Sequence, residues 1–254
     1  MKPHVETVGS GSDLVLIHGW GMHGGIWDGV RDALSQQHQL HVVDLPGMGH
    51  SPLCAPYHLQ QLAQLVAEAI PPQADVCGWS LGGQIAMQLA LDDPKKVRRL
   101  LLVGSTPRFV NAADWRHGID AEVFRQFARN VATDYEETMT RFLSLQAFGG
   151  EASRNQMREL RERFVQRPLP DPEALRQALD VLLHTDLRQQ LARLHLPVML
   201  VHGERDTLAP VAVAHWMAQH IPRAQLRVIA GASHAPFLSH PDSFLDAVTS
   251  FLEH

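Results

Sequence analysis

Val76-Cys77-Gly78-Trp79-Ser80-Leu81-Gly82-Gly83, followed by Gln84-Ile85-Ala86-Met87-Gln88-Leu89-Ala90, decides the fold of this chain. The apolar run before the glycines reads as a strand and the run after them as a helix, with Gly-x-Ser-x-Gly at the sharp turn between. A serine at such an apex has a strained backbone, and a Cβ on either flanking glycine would collide with the neighbouring strand or helix. On this reading Ser80 is a nucleophile presented on a βα elbow. The competing reading is a glycine-rich turn whose serine merely caps the helix. The first reading demands an acid and a histidine later in the chain, each at a strand end; the second demands nothing.

Upstream of the elbow the pattern alternates. Val5 to Gly9 reads as an edge strand, and Leu14-Val15-Leu16-Ile17 as a strand buried on both faces. The latter runs into His18-Gly19-Trp20-Gly21, a loop of the kind that builds sites at the carboxyl ends of parallel strands. Trp20 there offers a backbone N–H as an oxyanion donor beside that of Leu81. His18 reads better as a residue that ties the loop down than as a chemical participant. Ile26 to Leu34 reads as a helix and Leu40 to Val43 as a strand. Asp44 follows it, too early in the chain for the catalytic acid and suited to fixing its loop through backbone amides. Leu59, Leu62, Leu65, Val66 and Ile70 recur at helical spacing over 58–70, stopped by Pro71-Pro72.

Downstream, 80–91 is the elbow helix and Val97 to Val103 the next strand. From 106 to 194 the strand rhythm stops, leaving helix-period segments broken by Gly149-Gly150 and Pro168-Leu169-Pro170. Strands return with Pro197 to Gly203 and Leu226 to Ile229, and a helix over Pro241 to Leu252 closes the chain. The pattern predicts an α/β fold with a mostly parallel sheet flanked by helices. Residues 1–105 and 195–254 form its core, and 106–194 a helical lid insertion.

Both residues that the elbow demands are present. Asp206 follows the strand ending near His202, and His234 follows the strand ending near Ile229. The order Ser80, Asp206, His234 is the one the elbow fold requires. His234 would take the serine proton and return it to the leaving group, and Asp206 would hold the imidazole in the needed tautomer. Glu204 is the nearest rival acid.

Composition narrows the classes. A net charge of −5 argues against general nucleic-acid binding. The N-terminal residues lack a signal-type apolar run, and no apolar run approaches the ~20 residues of a membrane helix. Two cysteines cannot frame a disulfide fold, and the sixteen histidines show no metal-site spacing, so most read as surface residues. The expectation is a cytoplasmic monomer that binds no metal or organic cofactor, no nucleic acid and no membrane.

Over essentially its whole length the chain resembles the α/β-hydrolase superfamily. Within it, six stretches are similar to the pimeloyl-[acyl-carrier protein] methyl ester esterases of biotin synthesis. They are Leu16 to Gly21, Val43 to Gly47, Gly78 to Gly83, Arg141 to Gln146, Thr185 to Arg188 and His234 to Pro241. The resemblance implies hydrolysis of a methyl ester on a pimeloyl chain still attached to acyl-carrier protein, with Trp20, Ser80, Leu81, Phe142, Leu143, Ser144, Leu145, Gln146 and His234 along the acyl channel. An acidic carrier calls for a basic docking face. Arg154, Arg158 and Arg161 fall on one helical face, in an arginine-rich run reaching Arg167, and Arg141 extends the stripe. An ordinary solvated helix with Arg–Glu pairs would look the same. A general short-chain carboxylesterase or thioesterase, and a non-catalytic ligand-binding member of the fold, remain open at this point.

Overall fold

The computed structural model describes residues 2–148, 158, 162 and 167–253. Among the described residues seven strands form one sheet: β1 (Val5–Val8), β2 (Ser12–Ile17), β3 (His38–Val43), β4 (Ala74–Trp79), β5 (Val97–Val103), β6 (Val198–Gly203) and β7 (Ala224–Ile229). They lie in the order β1-β3-β2-β4-β5-β6-β7, and only β1 is antiparallel to its neighbour. The strand order reverses direction between β2 and β4, so the carboxyl ends of these strands open the crevice where such sheets bind ligands.

The central strands are covered on both faces, which is why they are continuous runs of branched residues. Every residue of β4 and β6 is buried. Flanking helices are α1 (Asp28–Ser35), α2 (Leu59–Ala69) and α3 (Leu81–Asp92); a 3₁₀ turn over Gly24–Trp27 leads into α1. The stretch 106–194 supplies α4 (Ala121–Thr133), α5 (Tyr135–Phe148) and α6 (Pro172–His184), with isolated bridges Val110–Ile119 and Ala112–Trp115 but no strand among its described residues. Asp120 and Asp171 cap α4 and α6 by accepting from their first amides. Buried residues of this stretch, such as Phe109, Phe124, Met139 and Leu175, join the same hydrophobic core as the sheet. The chain ends with α7 (Val211–His220), α8 (Pro236–Ser239) and α9 (Pro241–Leu252). No described helix is long and apolar enough to cross a membrane.

The tightest packing is at the β4–α3 junction. A Cβ on Gly78 would overlap the carbonyl oxygen of Gly82, and one on Gly82 would overlap the carbonyls of Ile17 and His18. A Cβ on Gly83 would overlap the Ser105 side chain. Backbone atoms on both sides leave no flexible group to give way. Gly78→Ala is therefore expected to destabilise the fold by about 3 kcal/mol, the upper end for overpacking, as measured by urea unfolding. An unchanged midpoint would show that α3 can shift away from the strand.

Candidate active site

Ser80 ends β4 and precedes α3 with φ 57° and ψ −118°. That left-handed φ costs a non-glycine residue ~1–3 kcal/mol and persists only when its surroundings enforce it. The Ser80 amide donates to the Val103 carbonyl at 3.0 Å, and its carbonyl accepts from Gly83 N, Gln84 N and Ser105 Oγ. The residue is pinned from the sheet, the helix and the β5 loop together, and it makes no side-chain cap bond to α3. The capping reading of this serine is thereby excluded.

Asp206 lies three residues past β6 and His234 five past β7. His234 Nδ1 donates to Asp206 Oδ2 at 2.8 Å, and neither side chain is exposed to solvent. The other carboxylate oxygen, Oδ1, accepts from the amides of Leu208 at 2.8 Å and Ala209 at 2.9 Å. Both oxygens of this buried carboxylate are thereby supplied with donors, as the cost of burying an unpaired polar group demands. With Nδ1 committed to the acid, Nε2 becomes the basic nitrogen. It is buried and has no hydrogen-bond partner among the described residues. Both Ser80 and His234 line one cavity of about 330 Å³. Glu204, the rival acid, is exposed and accepts from Gly231 N instead.

Three residues near the pair had no role assigned from the sequence. Trp79 Nε1 donates to the His234 carbonyl at 2.9 Å, holding the histidine loop. His202 is fully buried at the end of β6, and its Nδ1 donates to the Ala209 carbonyl at 3.3 Å, closing the Asp206 loop from behind. Gly104 has φ 48°, and a Cβ there would stand 2.7 Å from the His234 carbonyl and 3.1 Å from its Nδ1. A glycine directly after a buried strand was the available clue.

The loop over 18–22 is anchored on several sides. Leu45 N donates to His18 Nε2 at 2.9 Å, so the proton sits on Nδ1, which donates to the Gly19 carbonyl at 2.7 Å. Burial, only partly offset by Asp44 and by that carbonyl, pushes the His18 pKa down to about 4. Asp44 accepts from Gly24 N, His50 N and Arg167 Nη1, as its expected loop-fixing role requires. Burial opposes its charge, but His18, these two amides and Arg167 outweigh it and hold the carboxyl below its ordinary range. Arg167, read from sequence as the end of a basic run, instead pairs with Asp44 at 2.7 Å and Glu6 at 2.8 Å. Trp20 lines the cavity, with its indole N–H donated to the Leu175 carbonyl at 3.0 Å. Leu81 is fully buried and outside the described lining; its amide opens α3, where helix N–H groups lack intrahelical acceptors.

The cavity wall is mostly aromatic and aliphatic. From the stretch 142–146, Phe142 lines it, packed 6.4 Å from Trp20 and 5.2 Å from Phe127 between ring centres. Ser144 is half-buried and outside the described lining, and the side chains of Leu143, Leu145 and Gln146 lie outside the described residues. Much of the remaining wall comes from residues that sequence reasoning missed, among them Phe109, Phe124, Phe127, Leu179 and Leu182, with Asn130 and Thr138 as polar members. Of the expected docking arginines, Arg158 is exposed and 3.8 Å from Glu162. Arg154, Arg161 and the Arg141 side chain lie outside the described residues. The expectation that most histidines are surface residues needs amending for His18, His23, His38, His202 and His234, all buried. Among the described residues no His, Cys, Asp and Glu cluster could hold a metal ion.

Residues 14–241 match the family model described as the alpha/beta hydrolase fold. The pimeloyl-[acyl-carrier protein] methyl ester esterase of Nitrosomonas europaea is 46% identical over 242 residues, covering 95% of this chain and 96% of that one. The protein of the same name from Nitrosospira multiformis is 41% identical over 255 residues, covering 98% and 97%. Among solved structures, an esterase from Exiguobacterium antarcticum superposes with a TM-score of 0.92 at 22% identity, over 99% of this chain and 96% of that one, and so speaks to the fold.

Two outcomes follow from this geometry. The folded pKa of His18 lies below its unfolded value near 6.5, so the unfolded chain binds the extra proton between about pH 6.5 and 4 and stability falls as pH drops through that window. Lowering the pH from 7 to 5 should cost about 2 kcal/mol through this residue, read as the wild-type loss in urea unfolding minus that of His18→Asn. Equal losses in the two proteins would contradict the assignment. Gly104→Ala should lower kcat of ester hydrolysis by about a hundredfold, because the His234 backbone must move to admit the methyl.

Proposed function

Since the chain belongs to the α/β-hydrolase family, we propose that it is a serine carboxylesterase that removes the methyl group from pimeloyl-[acyl-carrier protein] methyl ester, releasing methanol in biotin biosynthesis. The chemistry is carried by one observation: a buried His234–Asp206 pair whose second imidazole nitrogen is unpartnered in the cavity that Ser80 lines. The substrate is carried by full-length similarity to esterases of that name.

In this mechanism His234 Nε2 takes the proton of Ser80 Oγ as the oxygen attacks the ester carbonyl. The amides of Trp20 and Leu81 receive the negative charge of the tetrahedral intermediate; such donors are worth ~3–4 kcal/mol each. The imidazolium, stabilised by Asp206, protonates the departing methoxide. Water, deprotonated by the same imidazole, then attacks the acyl-enzyme and frees the carboxylate and Ser80. The apolar cavity wall suits a methylene chain, and Phe142 contributes to it. The thioester end would point outward to the carrier.

Residues 106–194 serve as the lid over this channel, and Arg141, Arg154, Arg158 and Arg161 as the face that meets an acidic carrier. An exposed pair as wide as Arg158–Glu162 holds its arginine weakly, leaving it free to engage a partner carboxylate or phosphate. The enzyme acts as a monomer with no metal or organic cofactor.

Charge reversal tests the carrier. Changing Arg154, Arg158 and Arg161 to Glu together should lower kcat/KM for the carrier-bound methyl ester at least tenfold and leave that for a p-nitrophenyl ester within twofold. Equal effects on both substrates would point to a general carboxylesterase. No hydrolysis of either ester by the wild-type protein, with no labelling of Ser80 by a fluorophosphonate, would point to a ligand-binding protein.

A further inference from the structure

Residues 19–22 make a turn closed by Met22 N donating to the Gly19 carbonyl at 3.3 Å, with Gly21 at φ 70°. A positive φ at the third residue is the mark of a type II turn, in which the amide of the second residue takes no part in the closing bond. That amide is Trp20 N–H. It belongs to the same peptide plane as the Gly19 carbonyl, on which His18 Nδ1–H and Met22 N–H both converge. The plane is therefore fixed at its oxygen end from the sheet side.

The other end of the turn is fixed by the helices of 106–194. Tyr135, the first residue of α5, donates its hydroxyl to the Gly21 carbonyl at 3.1 Å. Met139, one helical turn on, packs so closely that a Cβ on Gly21 would stand 3.1 Å from its Cε. The Trp20 indole N–H reaches the Leu175 carbonyl in α6. Without these contacts only the bonds at the Gly19 carbonyl would hold the turn, and Gly21, a residue with wide conformational freedom, would leave its other end unanchored.

We infer that Tyr135 is a positioning residue for the oxyanion hole: its hydroxyl grips the Gly21 carbonyl and so sets the direction of the Trp20 N–H when α5 is docked on the loop. The inference rests on the reading of Trp20 N–H as an oxyanion donor. Its consequence is that the helices over the cavity help to assemble the transition-state site as well as covering the acyl chain.

Tyr135→Phe keeps the ring and removes the hydroxyl. With a p-nitrophenyl ester, kcat should fall about tenfold while KM stays within twofold, because the lost alignment matters to the tetrahedral intermediate more than to the bound ester. The rate of Ser80 labelling by a fluorophosphonate should fall in parallel, the pH profile of kcat/KM should keep its shape, and the melting temperature should change by no more than a few degrees. An unchanged kcat, a change in KM alone, or a loss of activity that follows a loss of folded protein would each overturn the inference. Wild-type protein inert toward both ester and probe would overturn the underlying acyl-transfer reading, which an active wild type with an unaltered Tyr135→Phe variant would leave standing.

Discussion

Ser80 can hold its left-handed backbone only because three glycines let strand β4 and helix α3 come into backbone contact. Gly78 faces the Gly82 carbonyl, Gly82 faces the carbonyls of Ile17 and His18, and Gly83 faces Ser105. Each lacks the Cβ that would force the elements apart. This close approach has two results. It places the serine on the wall of the cavity above the sheet, directly before the first amide of α3. The strain at Ser80 is sustained by bonds to Val103 and Ser105, so β5 and its loop belong to the elbow as much as β4 does.

Two buried aspartates follow strand ends and solve the same electrostatic problem in the same way. Asp44 after β3 and Asp206 beyond β6 are each surrounded by backbone amides plus one cationic or imidazole partner. Carboxylates buried without such donors would take up a proton rather than stay charged. Asp44 uses Arg167 and two amides to brace the loop that carries Trp20. Asp206 uses two amides to brace itself and gives its other oxygen to His234. One carboxylate braces the stretch that follows Trp20 and the other holds His234. Both halves of the site therefore depend on loops organised around a buried carboxylate.

What could be read from the sequence follows from where the governing forces are local. Strands such as Leu14–Ile17 and Val97–Val103 stand out because burial on both faces demands unbroken apolar runs. The order Ser80, Asp206, His234 could be read because the elbow fixes which strand ends remain available. Helices α4, α5 and α6 within 106–194 were legible too, since no alternating pattern competes there. The wall of the cavity was not legible, because Phe124 and Phe127 have ordinary helical spacing and only the tertiary placement of α4 turns them toward Ser80. The role of Arg167 was hidden for a similar reason: in a run of arginines nothing marks the one whose partners, Asp44 and Glu6, lie over a hundred residues away. Gly104 is a glycine for the sake of His234, a relation that exists only once β5 and the β7 loop are neighbours.

The proposal depends on which bond of a doubly activated acyl chain breaks, because the same triad could cleave either the methyl ester or the thioester. Rapid-quench mass spectrometry of the protein mixed with pimeloyl-[acyl-carrier protein] methyl ester measures this directly. Hydrolysis of the methyl ester would give a transient adduct on the peptide containing Ser80 that still includes the carrier, with one methanol released per adduct and no free carrier thiol. Release of carrier thiol with the methyl ester intact, or an adduct on any residue other than Ser80, would contradict it.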